Sequence, residues 1–213
     1  MTTSENLDDL AAVATLADGV RRAAYHRVAD AGGDPVGRDE VAETLGVGRT
    51  LAAFHLDKLV DAGLLEVSYQ RRSGRTGPGA GRPAKMYRVS PGEHTVSVPA
   101  RSYRGAAEML AETIERTGAE QTLYAVAREQ GRTGGSVADL TALGYSPVTE
   151  GGRITLRNCP FHQLAEQFPP LICGMNLAML EGMLEGSEWT ARMDPAPGRC
   201  CVTLSEYSKN KTD

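Results

Sequence analysis

The chain has 213 residues, of which 41% are hydrophobic and 23% charged, and its net charge is −4. This composition is that of a folded soluble protein, long enough for one large domain or two small ones. No apolar run approaches the roughly 20 residues needed to cross a bilayer, which argues against a membrane-spanning protein. The polar and acidic residues 1–9 lack the basic and apolar parts of a signal peptide. We therefore expect a cytoplasmic protein with no membrane partner.

The charge is distributed unevenly along the chain. Residues 68–89 contain six basic side chains and no acidic one, so this segment carries +6 and the remainder −10. The net charge alone does not suggest nucleic acid, but a basic patch confined to one short segment is an electrostatic footprint typical of nucleic-acid binding.

The first 90 residues show helix and strand patterns in a recognisable order. Apolar residues recur at helical spacing over residues 10–31, 38–45 and 49–62, with a tight turn from Gly46 to Gly48. Strand-forming residues follow at 64–69 and 85–89, on either side of a segment rich in Gly, Arg and Pro. This order predicts a winged helix-turn-helix DNA-binding domain over residues 1–90.

In such a domain, the start of the helix after the turn meets base edges in the major groove. Arg49 is the candidate for a bidentate contact to guanine, and the arginines of the hairpin suit the DNA backbone or a narrow minor groove. The candidate DNA contacts are Arg49, Thr50, Ala53, His55 and Lys58 on the helix, and Arg71, Arg72, Arg75, Arg82 and Lys85 on the hairpin. Three helices around a Gly turn are nevertheless common, and a loop of Gly and Arg is often a solvated linker. His55 has its own alternative, which is to pack within the motif.

The second half follows a linker at residues 91–100 and is predicted as a sensor and dimerisation domain over residues 101–213. Helical patterns occur at 101–116, 120–130, 136–143, 161–168 and 170–185. Strand patterns occur at 146–149, 153–158, 189–193 and 200–204. The predicted fold class of the whole chain is therefore α+β.

All four cysteines lie in the last third of the chain, at Cys159, Cys173, Cys200 and Cys201. In a reducing cytoplasm they are expected as thiols or metal ligands. Cys159 precedes a predicted helix, whose N-terminus should lower the pKa of its thiol, and His162 three residues later can face the same site. Cys173 lies on an apolar helical stripe. Strand alternation directs Cys200 to the core and Cys201 to the other side.

Three thiols can thus converge from a helix start, a helix face and a strand. We predict a shared metal or iron–sulfur site, with His162, Cys201 or an exogenous group as a fourth ligand. Zinc also suits a set of Cys and His ligands. Two alternatives without metal are buried inert thiols and a direct thiol redox switch.

Two stretches of the first half resemble a known family. Residues 47–65, with Phe54-His55-Leu56-Asp57-Lys58-Leu59 and Asp61-Ala62-Gly63-Leu64-Leu65, resemble the ArsR-like winged-helix regulators. Gly81-Arg82-Pro83-Ala84-Lys85 and Tyr87-Arg88 are similar to the wing of the SufR-type branch. The resemblance extends along most of the chain and is strongest in the winged helix and around the cysteines.

The resemblance implies a regulator that binds an iron–sulfur cluster and represses cluster-assembly genes in its cluster-bound form. The implied cofactor is a [4Fe–4S] cluster on three cysteines. Carried onto this chain, those ligands are Cys159, Cys173 and either Cys200 or Cys201.

Together these features predict a homodimeric transcription regulator, not an enzyme. It would bind a pseudo-palindromic double-stranded DNA operator with half-sites about 34–36 Å apart, and cluster loading would change its DNA affinity. The main alternative is a regulator that senses a small organic ligand with structural or redox cysteines, in a pocket lined by Tyr103, Tyr124, Phe161 and Trp189. An enzyme with Cys159 as nucleophile and His162 as base is disfavoured, because the sequence shows no third group to orient the base.

Overall fold

The structure is a computed structural model that describes residues 3–70 and 83–207, with side chains from Asp8 onward in the first helix. Helices and antiparallel strands both occur, so the mixed α+β class predicted from the sequence is confirmed. The chain divides into two compact units, Met1–Arg101 and Ser102–Asp213. Among the helices of the described residues, none combines the length and the apolarity that crossing a bilayer requires.

The first unit combines helices with a small antiparallel sheet. The described helices are α1 (Thr3–Thr15), α2 (Gly19–Ala29), α3 (Arg38–Leu45) and α4 (Arg49–Asp61). The described strands are β1 (Val36–Gly37), β2 (Leu65–Gln70) and β3 (Ala84–Val89), arranged in the order β1–β3–β2. In the β2–β3 pair, Val67 lies opposite Tyr87.

The core of the first unit fixes the orientation of α4. Leu56 and Leu59 are fully buried with Val28, Val41 and Tyr87 from the surrounding elements. Burying each such leucine contributes about 1.5–3 kcal/mol, so the inner face of α4 is strongly specified and the opposite face must point outward. The turn before α4 depends on glycine at position 46, where φ is 64°.

The single helix predicted over residues 10–31 is wrong, because the chain forms two helices there. α1 ends at Thr15, and α2 begins at Gly19. The Asp18 carboxylate caps α2 by accepting a 2.8 Å hydrogen bond from the backbone N–H of Arg21. The alanine-rich sequence keeps a helical pattern through this break, so periodicity does not reveal it.

The second unit packs helices against another antiparallel sheet. Its described helices are α5 (Tyr103–Thr117), α6 (Glu120–Thr133), α7 (His162–Gln167) and α8 (Pro169–Met183). Its described strands are β4 (Pro147–Glu150), β5 (Arg153–Leu156), β6 (Trp189–Met193) and β7 (Val202–Glu206), in the order β4–β5–β7–β6. The helix predicted over residues 136–143 is wrong, since this stretch contains only the 3-10 turn Val137–Asp139.

Helices α6 and α8 pack backbone to backbone through glycine. A Cβ on Gly131 would lie 2.0 Å from the carbonyl oxygen of Met179, and one on Gly182 would lie 2.1 Å from that of Arg128. Only a residue without a side chain permits this approach. The close packing holds α8, which carries one of the four cysteines, firmly against its neighbour.

Candidate functional site

The outer face of α4 carries most of the predicted DNA contacts that the structure describes. Arg49, Thr50 and Lys58 are exposed, and Ala53 is half-buried beside them. Phe54 is 51% exposed although it is a large apolar residue. It is not among the contacts predicted from the sequence, but its spacing of four residues from both Thr50 and Lys58 places all three on one stripe. This spacing is the sequence signal that identifies Phe54 as part of the face.

The two basic side chains of this face each pair with a carboxylate. Arg49 binds both oxygens of Asp39, with Nε and Nη2 at 2.6 and 3.1 Å. Lys58 Nζ lies 3.1 Å from Asp61. These side chains are about half exposed, and ion pairs of this kind contribute at most about 1 kcal/mol. A phosphate group can therefore replace the carboxylate at little cost.

Lys85, the described candidate on the hairpin, connects the hairpin to α4. Its Nζ lies 2.6 Å from Asp57 Oδ1, which also accepts a 2.9 Å hydrogen bond from the Tyr87 hydroxyl. Burial raises the pKa of Asp57, but the hydrogen bonds from Lys85 and Tyr87 outweigh it and hold this pKa below its ordinary value. Burial, together with the hydrogen bond to Asp57, raises the pKa of Tyr87. These contacts fix the base of the hairpin relative to α4.

A cleft of about 450 Å³ lies next to these residues. Its described lining includes Arg38 and Arg49 on the helix side and Tyr69 and Lys85 on the strand side, together with the Asp39 carboxylate. Three cationic groups against one carboxylate give the cleft a positive balance. Its charge therefore suits an anionic group such as a phosphate.

His55 is not on the outer face. Its side chain is 7% exposed, and its Nδ1 lies 3.8 Å from Asp18 Oδ1, at the cap of α2. This burial corrects the expected base contact and favours the alternative that His55 packs within the motif. The predicted contacts of the hairpin tip, Arg71, Arg72, Arg75 and Arg82, lie outside the described residues and stay predictions.

The second unit brings the four cysteines to one place. Cys159 follows β5, Cys173 lies on α8, and Cys200 and Cys201 directly precede β7. The Cys159 and Cys201 thiols hydrogen-bond to Cys200, and Cys201 also contacts Cys173. All four are free thiols, with Cys200 buried and the others half-buried. Groups from a helix and two loops thus form one cluster, which we call the thiol cluster.

Both members of the Cys200–Cys201 pair belong to the thiol cluster. The predicted alternation, with Cys201 on the opposite side, is wrong because β7 begins only at Val202. The backbone N–H of Cys200 donates to the Leu156 carbonyl at 2.8 Å, and the Cys201 carbonyl accepts from Asp194 at 2.7 Å. Neither cysteine is inside the strand, so strand periodicity does not apply to them.

Cys200 is the member of the cluster whose surroundings favour negative charge. Hydrogen bonds from Cys159 and Cys201, and then from the Val202 N–H, lower the pKa of Cys200 despite burial. The hydrogen bond to Cys200, together with burial, raises the pKa of Cys159. The lowering expected for Cys159 is therefore wrong. Helix α7 begins only at His162, and the bond from the Phe161 N–H to Cys159 is too weak to reverse the shift.

A buried polar pair next to Cys200 was not predicted from the sequence. Asn176 on α8 is fully buried, and its Nδ2 donates to Cys200 Sγ at 3.2 Å. The hydroxyl of Tyr145, itself 2% exposed, donates to Asn176 Oδ1. The only sequence signal is a single amide in an otherwise apolar helix, which does not reveal a partner 24 residues away.

His162, a predicted fourth ligand, has an exposed side chain that pairs with a carboxylate. Its side chain is 61% exposed, and its Nε2 lies 3.3 Å from Glu166 Oε1, one turn further along α7. The assignment of His162 as a fourth ligand therefore stays a prediction. Of the three candidates for this position, which were His162, Cys201 and an exogenous group, Cys201 is the one whose thiol contacts the other cysteines.

The sulfur donors of the thiol cluster suit both an iron–sulfur cluster and a single zinc ion. Within residues 3–70 and 83–207, no three His, Cys, Asp or Glu side chains are placed to bind one metal ion together. Zinc requires its ligands to point at one centre, with Zn–S bonds of about 2.3 Å. In a [4Fe–4S] cluster each thiolate binds a different iron, so its ligands surround a larger group. The thiols are in hydrogen-bond contact with one another here, so they would have to move apart to surround such a group.

The four aromatic residues of the alternative ligand pocket do not pack together in one described cluster. Tyr103 is 76% exposed. Tyr124 and Phe161 pack against Leu171 in one core, whereas Trp189 packs against a different core beside β7. Their separation removes the specific support for a small-molecule pocket.

Comparison of the chain with models of protein families, with curated proteins and with solved structures gave no match.

Proposed function

We propose that the chain is a sequence-specific DNA-binding transcription regulator whose first unit is a winged helix-turn-helix. The outer face of α4 carries this proposal, because it presents Arg49, Thr50, Phe54 and Lys58 on a helix that follows a glycine turn. An α-helix fits the major groove, and these side chains offer guanine, phosphate and thymine contacts. The hairpin β2–β3 follows α4 directly and brings the basic segment, residues 68–89, to the same unit.

DNA binding requires the cations of this face to exchange partners. Asp39 holds Arg49 and Asp61 holds Lys58 in the free protein. The pairs are half-exposed and weak, whereas DNA offers a dense row of phosphates and releases counterions when cations bind. Non-specific binding should therefore fall steeply with salt, and the carboxylates should disfavour binding where no base contact compensates.

The second unit is proposed to hold a [4Fe–4S] cluster on Cys159, Cys173, Cys200 and Cys201. The support is four neighbouring free thiols, half-buried, with a lowered pKa at Cys200. A bound cluster would supply a state of this unit that depends on iron supply and redox conditions. Since Cys173 lies on α8 and α8 packs tightly on α6, a change in the position of this cysteine would also move α6.

The regulator is proposed to act as a cytoplasmic homodimer on a pseudo-palindromic operator. Two copies of α4 would enter successive major grooves about 34–36 Å apart. Coupling to DNA requires only that the cluster favour one arrangement of the two first units over another. The family resemblance favours repression by the cluster-bound form over repression by the cluster-free form.

Selection of random double-stranded DNA with the purified full chain tests the first half of the proposal. We expect an enriched palindromic sequence, and a Lys58→Ala variant whose salt slope is smaller by about one unit of log K per log salt. Arg116→Ala is the matched control, because it removes one exposed cation from α5 in the other unit. Failure to enrich any sequence would overturn the DNA-binding proposal, and equal salt slopes in all three proteins would remove Lys58 from the DNA-contacting face.

Iron and acid-labile sulfide, measured per chain after anaerobic purification, test the second half. We expect iron and sulfide in similar amounts, together with visible absorption that disappears when a chelator removes the iron. The affinity for the selected DNA should then differ between loaded and metal-free protein by about 5- to 150-fold. Absence of iron and sulfide even after reconstitution would overturn the cluster, and zinc alone would make the site a metal site of another kind.

A further inference from the structure

A fully buried amide lies inside the apolar helix α8. Asn176 is 0% exposed, and its buried neighbours along α8 include Ile172, Ala178 and Leu180. An amide moved from water into such surroundings costs about 1–3 kcal/mol unless its hydrogen bonds are restored. Its retention in the core therefore depends on the partners that it finds there.

Both ends of the Asn176 amide have a partner. Its Nδ2 donates to Cys200 Sγ at 3.2 Å, and its Oδ1 accepts a hydrogen bond from the Tyr145 hydroxyl. Tyr145 is itself buried and precedes β4, so the amide links α8 to the sheet side of the core. Because the Tyr145 hydroxyl donates to the oxygen, the amide directs its N–H toward the sulfur.

The sulfur that receives this bond is the centre of the thiol cluster. Cys159 and Cys201 both hydrogen-bond to Cys200, and the backbone N–H of Val202 donates to it as well. Cys200 is also the most buried of the four cysteines. Hydrogen bonds to cluster sulfurs and to ligand side chains change the reduction potential and the metal affinity of such sites.

We infer that Asn176, held by Tyr145, is the positioning residue for Cys200 in the proposed cluster site. This inference rests on the proposed function of the second unit. Asn176 directs an N–H at the Cys200 sulfur, fixes the rotamer of that side chain toward Cys159 and Cys201, and stabilises the charge that a ligand sulfur carries. Tyr145 acts one step further away by fixing the amide orientation.

The test uses Asn176→Leu, which removes both hydrogen bonds, and Tyr145→Phe, which removes only the hydroxyl. Thr203→Val is the control, because Thr203 is also a buried polar residue of the second unit. Each full-length protein is loaded with iron and sulfide under anaerobic conditions. The midpoint potential, the visible spectrum and the rate of iron loss to a chelator are then measured.

We expect iron loss at least about tenfold faster in Asn176→Leu than in the wild type, as for other residues that support a metal ligand. Its midpoint potential should shift to a more negative value, because an N–H donor no longer stabilises the reduced, more negative cluster. Tyr145→Phe should shift both quantities in the same direction by less, and Thr203→Val should shift neither. If Asn176→Leu fails to fold, the measurements on Tyr145→Phe test the positioning role instead.

Two different failures are distinguishable. If the wild type holds a cluster but the potentials of Asn176→Leu and Tyr145→Phe equal that of Thr203→Val, the positioning role is wrong and the cluster proposal stands. If the wild type holds no iron or sulfide, the proposed cluster fails, and with it the role of Asn176 as a support for its ligand.

Discussion

The Lys85 ammonium lies 2.6 Å from the Asp57 carboxylate and thereby connects β3 to α4. The same carboxylate accepts the hydroxyl of Tyr87, whose ring is buried in the core of the first unit. One acidic side chain therefore fixes the strand at the end of the basic segment against the helix that is proposed to enter DNA. The distance between these two proposed DNA-contacting elements depends on it.

Asp57→Asn should weaken the first unit by about 1 kcal/mol at neutral pH. Tyr87 would lose a charged acceptor, whereas the half-exposed pair with Lys85 contributes little. Urea unfolding followed by circular dichroism should show the loss, and fluorescence of Trp189, the single tryptophan of the chain, should not, because it reports on the second unit. Asp61→Asn is the control, since Asp61 forms only an exposed pair with Lys58.

The pH dependence of this difference has a defined sign. The pKa of Asp57 is lower in the folded chain than its ordinary value of about 3.9. Its contribution to stability is therefore complete above that ordinary value and is lost as the pH falls through the folded pKa. The wild type and Asp57→Asn should converge in acid. A difference that persists unchanged to the lowest pH would show that the Asp57 charge is not its source.

Local patterns predicted the order of the elements because helix and strand periods are properties of neighbouring residues. The segment at residues 38–62 is an example, since its apolar spacing and Gly46 specify two helices and a turn without distant contacts. The break at Asp18 escaped prediction because alanine fits a helix on every face. The burial of His55 was predicted only as an alternative, because its partner, again Asp18, lies 37 residues earlier in the chain.

The cysteine site shows the same limit. Convergence of Cys159, Cys173 and Cys200 was predicted from the elements on which they were expected to lie. The side chosen for Cys201 was wrong because the strand begins two residues later than the pattern suggests. The role of Asn176 had no local signal, since its two partners come from other parts of the sequence. Long-range polar contacts are the information that periodicity does not contain.

Gly131→Ala should destabilise the second unit by about 1–3 kcal/mol, the usual cost of an added methyl group in a packed core. The new Cβ would lie 2.0 Å from a carbonyl oxygen of α8, so the helices must separate. Unfolding followed by Trp189 fluorescence measures this loss. Gly105→Ala on α5 is the control, because its Cβ meets only the rotatable hydroxyl of Ser102 and should be neutral or slightly stabilising. Equal midpoints for the two variants would contradict the close packing.

The ligand set of the cluster can be separated from its surroundings by single substitutions. His162→Ala should retain full iron and sulfide, because His162 is exposed and pairs with Glu166. Most of the iron and sulfide should be lost in each of the variants Cys159→Ser, Cys173→Ser and Cys200→Ser. The variant Cys201→Ser should lose iron and sulfide more readily than His162→Ala. The iron and sulfide content of each variant, measured after identical anaerobic loading, shows which residues are ligands. A His162→Ala protein without iron, beside a loaded Cys201→Ser protein, would reverse the assignment of the fourth ligand.

Phe54 should contact a thymine methyl group when α4 binds the selected operator. It is half-exposed on the stripe with Thr50 and Lys58, and apolar side chains in the major groove recognise this methyl. Phe54→Ala should weaken binding by about 1 kcal/mol, close to the value of one buried methylene.

Replacing the thymines of the operator with uracil removes the methyl groups but leaves the hydrogen-bonding edges unchanged. The wild type should bind the uracil operator more weakly than the thymine operator. Phe54→Ala should bind the two operators almost equally, because this variant already lacks the contact to the methyl group. Lys58→Ala is the matched control: a phosphate contact should be weakened equally on both operators. Additive losses for Phe54→Ala and uracil would place Phe54 away from the methyl groups, and the exposed aromatic ring would then require another partner.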